Sequence, residues 1–232
     1  MTPYYDADGI TIYHGDCMEV LPSLGAPVAD MLLTDIPYGE VTRPCGNFGD
    51  SARSFDKGDA DVVTFELDAF VAMVVLACRS SFYVFCGIEQ VSPLTVLFKQ
   101  RGLTTRHGLW IKSNPSPVNG EHLWLSGHEN CVFARAPLAP FSEHCAPPHW
   151  RYPVGTSKRH PTEKPRALFD RLMLASSKPG ETVLDPCAGS GTALEAALQL
   201  GRRAIGVELN EEYCEIAAKR LAQGVLDFGG AA

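Results

Sequence analysis

The sequence is short of several things, and each shortage narrows what the chain can be. No apolar run approaches membrane-spanning length, and Val71 to Cys78 falls far below it. Positive charge is scarce: 20 Lys and Arg against 27 Asp and Glu leave a net charge of −7, the wrong sign for a protein held on a polyanion by bulk charge. The 8 cysteines stand singly with no Cys-x-x-Cys pair, which argues for reduced, mostly buried thiols over a zinc site or a disulfide framework. No metal is expected. The opening Met1-Thr2-Pro3-Tyr4-Tyr5-Asp6 has neither the basic start nor the apolar stretch of a secretory leader, so a cytoplasmic location is expected. Internal repeats are absent. An apolar fraction of 45% over 232 residues is enough for the core of one α/β domain spanning 1–232.

What is present alternates between strand and helix patterns. Ala29 to Leu33 reads as a buried strand delivering Thr34-Asp35-Ile36-Pro37-Tyr38-Gly39 to its carboxyl end, the edge at which ligands bind in open α/β sheets. Pro37 restricts Ile36 to an extended backbone. Asp35 and the Ile36 carbonyl then form two acceptors beside the flat ring of Tyr38, a set suited to a planar heterocycle bearing an amine. Thr11 to His14 reads as a strand, Cys17 to Leu21 as a helical turn and Phe65 to Arg79 as a helix with an apolar face. Ser81 to Gly87 is a continuous apolar strand, as in a sheet covered on both sides. A helix over Glu89 to Arg101 and strands over Thr105 to Lys112 and Glu129 to Arg135 follow, the two strands as an antiparallel pair at one edge. Residues 40–60 form a long loop carrying Arg43, Arg53 and Lys57, read as mobile and poised over a bound partner.

The last third carries a nucleotide-binding pattern. Pro165 opens a helix whose buried face is Leu168, Phe169, Leu172 and Met173. Thr182 to Asp185 is a strand running into Pro186-Cys187-Ala188-Gly189-Ser190-Gly191, and Thr192 with Glu195 reads as a capping box on the next helix. Gly201 stops that helix, and the strand Arg203 to Val207 ends at Glu208, an acid placed to take ribose hydroxyls. Asn210 starts a last helix ending near Gly224. The turn lacks the third glycine of Gly-x-Gly-x-x-Gly and begins with Asp185, which would repel a pyrophosphate but suit a cationic ligand.

The motifs together resemble the β group of DNA amino-methyltransferases. Asp35-Ile36-Pro37-Tyr38 is similar to the family's Asp-Pro-Pro-Tyr, with Ile36 at the first proline. Asp185-Pro186-Cys187-Ala188-Gly189-Ser190-Gly191 resembles Asp-Pro-Phe-x-Gly-Ser-Gly, with Cys187 in the aromatic position, and His160 to Pro165 resembles His-Pro-Thr-x-Lys-Pro. The order, catalytic motif first and cofactor motif last, matches that group's circular permutation. The resemblance implies a Rossmann-like, S-adenosylmethionine-dependent methyltransferase fold, mostly parallel with an antiparallel edge. It implies transfer of a methyl group to the exocyclic amine of a flipped base in double-stranded DNA, with adenine N6 favoured by the leading Asp. Asp16 would accept from the cofactor's adenine; Thr162, Lys164 and Pro165 would lie near its methionine end; Asp185 to Gly191, Glu208 and Asn210 would complete its site.

A short target-recognition segment is expected at 137–158, with Arg151, Lys158 and Arg159 as DNA contacts beside Trp150 and Tyr152. Its brevity suggests a brief recognition site or help from a second subunit in a homodimer; a restriction partner is left open. Cytosine N4 methylation, an RNA, protein or small-molecule substrate, and an inert DNA-binding module are the alternatives.

Overall fold

The structure, a computed structural model, describes residues 1–38, 65–117, 120–155 and 163–228, with side chains in the last stretch to 223. Among these residues nine strands form one sheet: β1 (Tyr5–Ala7), β2 (Ile10–His14), β3 (Ala29–Asp35), β4 (Cys78–Cys86), β5 (Thr104–Lys112), β6 (His128–Arg135), β7 (His149–Tyr152), β8 (Thr182–Asp185) and β9 (Arg203–Glu208). Their spatial order is β1-β2-β9-β8-β3-β4-β6-β5-β7. Strands β2, β9, β8, β3 and β4 are mutually parallel, while β6 runs against both of its neighbours, β4 and β5. The amino end of β6 therefore lies at the same edge as the carboxyl ends of the parallel strands.

Among the described residues six helices cover both faces: α1 (Cys17–Ser23), α2 (Leu67–Ala77), α3 (Ile88–Gln100), α4 (Arg166–Ser176), α5 (Thr192–Gln199) and α6 (Glu211–Phe228). The period of two in each strand divides its side chains between the layers. Met31 and Leu33 of β3 pack with α4, α5 and α6, whereas Leu32 packs with α1, α2 and α3. Val183 and Leu184 of β8 divide in the same way. Each side chain buried completely stabilises the fold by about 1.5–3 kcal/mol over its exposed state. No helix among the described residues is long and apolar enough to cross a membrane.

The chain departs from the sequence-based expectations in several places. The helix read as Phe65 to Arg79 ends at Ala77, and Cys78, already extended, begins β4 with no intervening glycine. Thr192 is not the cap of α5: Gly191, in the left-handed region at φ +79, turns the chain one residue earlier, and Glu195 is bonded to Arg220. The expected edge pair β5–β6 is interior, because β7, read as loop, adds a further parallel strand beside β5. Trp150 in β7 is packing: a Cβ on Gly108 would stand 2.5 Å from its ring, so that glycine is what admits it. Helix α6 passes Gly224 and ends at Phe228.

The strand order reverses between β8 and β3. From β8 the chain crosses through α5 outward to β9; from β3 it crosses through α2 to β4 on the other side. Such a switch point opens a crevice at the carboxyl ends of the two strands. The Thr34 hydroxyl spans it, donating to Asp185 Oδ1 at 2.7 Å.

Candidate active site

Strand β3 places Asp35 at this crevice, and its neighbours hold the turn that follows. Ile36 is buried and its N–H donates to the Phe85 carbonyl at 3.1 Å, extending the β3–β4 pairing one residue past the strand. Gln90 at the start of α3 donates from Nε2 to the Pro37 carbonyl at 2.9 Å and accepts the Gly87 N–H at 2.8 Å. A Cβ on Gly87 would come within 3.3 Å of Tyr38 Cβ and its carbonyl, so the turn rests directly on that backbone.

Four charged or polar side chains converge with Asp35. The Tyr38 hydroxyl donates to Asp35 Oδ1 at 2.9 Å and lies 3.2 Å from Glu129 Oε2. The Lys164 ammonium, delivered just before Pro165, donates to Asp35 Oδ2 and lies 2.9 Å from Glu129 Oε2. Lys112, at the end of β5, lies 2.8 Å from Glu129 Oε1. The Lys164 nitrogen is also 5.4 Å from the Tyr38 ring centre and 5.7 Å from that of Phe85.

Burial and charge oppose each other in this cluster. Burial raises the Asp35 carboxyl above the ordinary range, Lys164 lowers it, and the charge of Glu129 adds to the rise. Burial would raise Glu129 too, but Lys164 and Lys112 together outweigh it and hold that carboxyl down at about 2. Burial disfavours the Lys164 ammonium, yet Asp35 and Glu129 reverse the sign and raise it. Burial, followed by the charges of Asp35 and Glu129, pushes the Tyr38 phenol well up, so its hydroxyl keeps its proton.

Next to this cluster lies a glycine turn lined by acids. Asp185 Oδ1 accepts from Thr34 and, at 3.2 Å, from the Cys187 N–H. Burial raises its carboxyl to about 7, only partly offset by those hydrogen bonds, with Asp35 and Glu208 pushing the same way. The Gly189 N–H donates to Glu208 Oε2 at 2.7 Å, and the Asn210 N–H to the other oxygen at 2.8 Å. Asn210 Oδ1 then caps α6 through the Glu212 N–H at 2.8 Å. At Gly191 a Cβ would meet that of Ala217 at 2.9 Å, so only glycine lets α5 start this close to α6. Pro186, Ala188 and Ser190 are buried, while Cys187 and Gly189 are partly exposed along the turn. On the far side, β2 pairs with β9 in a register that sets His14 opposite Glu208. Asp16 follows, capping α1 by accepting the Met18 N–H at 2.8 Å. Asp16, Glu208 and Asp185 thus follow one another along the carboxyl edge, at the ends of β2, β9 and β8, an acidic lining that suits a cationic ligand with hydroxyls.

The family model described as "DNA methylase", covering N6 and N4 amine methylation, matches residues 99–219. The chain belongs to the N6/N4 DNA methylase family. Type II methyltransferase M2.DpnII of Streptococcus pneumoniae is 28% identical over 251 residues, covering 94% of this chain and 92% of that protein. M2.LlaDCHI of Lactococcus lactis subsp. cremoris is 27% identical, with 96% and 93% covered. Among solved structures, M1.HpyAVI in complex with S-adenosylmethionine superposes with a TM-score of 0.72 at 24% identity, over 91% of this chain and 99% of that one. The PvuII DNA methyltransferase, described as cytosine-N4-specific, gives 0.73 at 18%, over 94% and 88%. The fold is the Rossmann-like one of these enzymes. The family's methyl donor is S-adenosylmethionine. The acidic lining of the glycine turn fits its sulfonium and ammonium charges.

Of the methylase residues expected from sequence, Asp35 to Tyr38, Lys164 and Pro165 meet in one cluster, and Asp16, Asp185 to Gly191, Glu208 and Asn210 lie along the adjoining edge. Pro165 is the cap of α4 rather than a residue of its first turn. Thr162, Lys158, Arg159, Arg43, Arg53, Lys57 and the rest of the loop at 40–60 lie outside the described residues. Arg151 is exposed on the edge strand β7. Among the described basic residues that follow it, Arg171 pairs with Glu143 at 2.7 Å, Arg166 with Asp170 at 3.5 Å, and Lys164 lies inside the cluster.

The segment at 137–148 is anchored away from the Asp35 cluster, since Ser142 N–H donates to the Ala175 carbonyl at the carboxyl end of α4. Lys164 stands at the other end of that helix, about 16 Å away at 1.5 Å per residue. Only from Tyr152 onward does this stretch return to the catalytic edge, where Ser113 N–H meets the Tyr152 carbonyl. Sequence reasoning passed over Glu129, Lys112, Gln90 and Thr34. No local signal marks the first two, because β5 and β6 carry other polar and charged residues as well.

Proposed function

We propose that this methylase transfers a methyl group to the N6 amine of an adenine flipped out of double-stranded DNA. The observation that carries the reading is Asp35 at the switch point, beside Tyr38 and one strand away from the acidic glycine turn. The target base leaves the stack, as it must for chemistry at an atom inside the duplex. Asp35 and the Ile36 carbonyl accept its two amine hydrogens and draw the nitrogen out of conjugation, with the Tyr38 ring as stacking partner. S-adenosylmethionine, when bound, supplies a methyl group on a sulfonium leaving group. Asp16, Asp185, Glu208, Asn210 and the turn from Pro186 to Gly191 orient it, and Asp35 takes the proton that the methylated nitrogen gives up. Positioning of this kind supplies most of the acceleration in a direct transfer.

DNA would meet the carboxyl edge. Arg151 is on hand there, and Arg43, Arg53, Lys57, Lys158 and Arg159 are our further phosphate contacts. The connection from β5 to β6 leaves this edge with Leu123 and Trp124 exposed, Trp124 completely, which offers a stacking surface for unpaired bases. The names of the two curated relatives support a role in a restriction–modification system. The likeness to PvuII methyltransferase favours cytosine N4 as the second reading. Mass spectrometry of nucleosides from unmethylated DNA, incubated with the protein and cofactor, separates the two: N6-methyladenine is expected, and N4-methylcytosine would move the assignment. Asp35→Ala should lower turnover about a thousandfold or more while cofactor affinity stays measurable by calorimetry. Near-normal turnover would remove Asp35 from the reaction.

A further inference from the structure

Both oxygens of Asp35 are engaged before any base arrives, Oδ1 by the Tyr38 hydroxyl and Oδ2 by the Lys164 ammonium. Lys164 therefore sits where the amine of an incoming base must bind. A buried ammonium cannot simply be turned out, because an unpaired charge away from water costs several kcal/mol. The same nitrogen is already 2.9 Å from Glu129 Oε2, on the antiparallel strand β6 across the crevice. Lys112, 2.8 Å from the other Glu129 oxygen, keeps that carboxylate ionised. The four charges, Asp35 and Glu129 against Lys112 and Lys164, sum to zero. A neutral base amine can enter without changing that sum, provided Lys164 stays paired.

We propose that Lys164 is a resident stand-in for the substrate amine on Asp35, and that Glu129 is the positioning residue that receives its ammonium when the base enters. The inference rests on the reading of Asp35 as the amine acceptor. No bond is made or broken in the exchange: the lysine shifts its hydrogen bonds from one carboxylate to the other, and the amine takes the vacated lone pairs. The groups facing the exchange are Asp35, Tyr38, Lys112 and Lys164, with the thiols of Cys86 and Cys131 behind them.

The test compares Glu129→Gln, Glu129→Asp and Lys112→Met with wild type in the full-length protein. Readouts are cofactor affinity, thermal midpoint, and kcat/KM for DNA as a function of pH. For E129Q, kcat/KM should fall about tenfold or more with cofactor affinity unchanged. Its acid limb should move to lower pH, because Asp35 loses a neighbouring negative charge and keeps Lys164 to itself. E129D should recover most of the loss. In K112M, Glu129 loses a partner that keeps it ionised but can still receive Lys164, so kcat/KM should fall by less than in E129Q. An E129Q enzyme indistinguishable from wild type overturns the proposal, as does an acid limb that does not move. Loss of cofactor binding in parallel with activity, or K112M impaired as badly as E129Q, would reduce the cluster to a structural ion pair and also overturn it. Absence of any methylated base from the wild-type protein would instead strike down the underlying assignment of function.

Discussion

Asp185 and Asp35 stand one strand apart at the carboxyl edge, yet their surroundings give them different chemistry. Asp35 shares Lys164, whereas Asp185 is held by a hydroxyl and an amide, and burial carries its carboxyl up to about 7. Between the ordinary carboxylate value near 4 and about 7, the folded protein holds a proton that the unfolded chain has released. Folding stability contributed at this site therefore falls as pH rises through that window. Asp185→Asn cannot ionise and escapes the loss. Without cofactor, the variant should match wild type at pH 4 and exceed it at pH 8 by about 1 kcal/mol or more, roughly 2–4 °C in Tm per kcal/mol. Thermal scans at the two pH values decide it, and a variant less stable than wild type at pH 8 would contradict the assignment. The same variant should bind cofactor more weakly, since it removes the charge that faces a cation.

At the scale of the element, the departure of this chain from the family's Asp-Pro-Pro-Tyr has a structural content. Ile36 supplies an N–H that a proline lacks, and β3 uses it for one further bond to β4 at the Phe85 carbonyl. Its side chain fills part of the core beneath α1 to α3. The stiffness lost with the proline is replaced by that bond and by Gln90 holding the Pro37 carbonyl. Ile36→Pro, which restores the family's residue, should therefore destabilise the protein by about 1–3 kcal/mol, the cost of a buried carbonyl left without its donor. Urea denaturation measures it, and a neutral or stabilising result would show that the turn carries the strand end without that bond.

At the scale of the whole molecule, polar junctions join distant parts of the chain. Thr34 ties the strand of the catalytic motif to Asp185, far along the chain, across the switch point. Arg220, buried in α6, bonds Glu163 at 2.5 Å, Glu195 at 2.6 Å and the Thr192 hydroxyl at 3.2 Å, so the last helix fastens both α5 and the approach to Lys164. Removing one member of such a buried network leaves charges without partners. Arg220→Ala should cost about 3–5 kcal/mol and weaken cofactor binding with it. Denaturant midpoints and cofactor titration of the same preparation test this, and a loss below about 1 kcal/mol would place the two carboxylates in water.

Most elements, and the strand–turn–helix contexts of both motifs, were legible because period and glycine placement are local properties of a chain. So was the family, since Asp35 to Tyr38 and Asp185 to Gly191 are contiguous words in the sequence. The strand β7 was not legible: four residues after a proline-rich run are too few for their alternation to stand out, and only the space opened by Gly108 explains why Trp150 goes inward. Composition could not show that Arg171 is spent on Glu143, which lies against it. Glu129 and Lys112 were invisible for the same reason, being single charges whose meaning depends on β6 running against its neighbours. By itself the sequence determined the reaction's parts: two motifs, a glycine turn and the acid that closes it. Only the tertiary structure decided which charges face one another across the crevice, because charge pairing depends on distance through space, and that distance is set by strand order rather than by position in the chain.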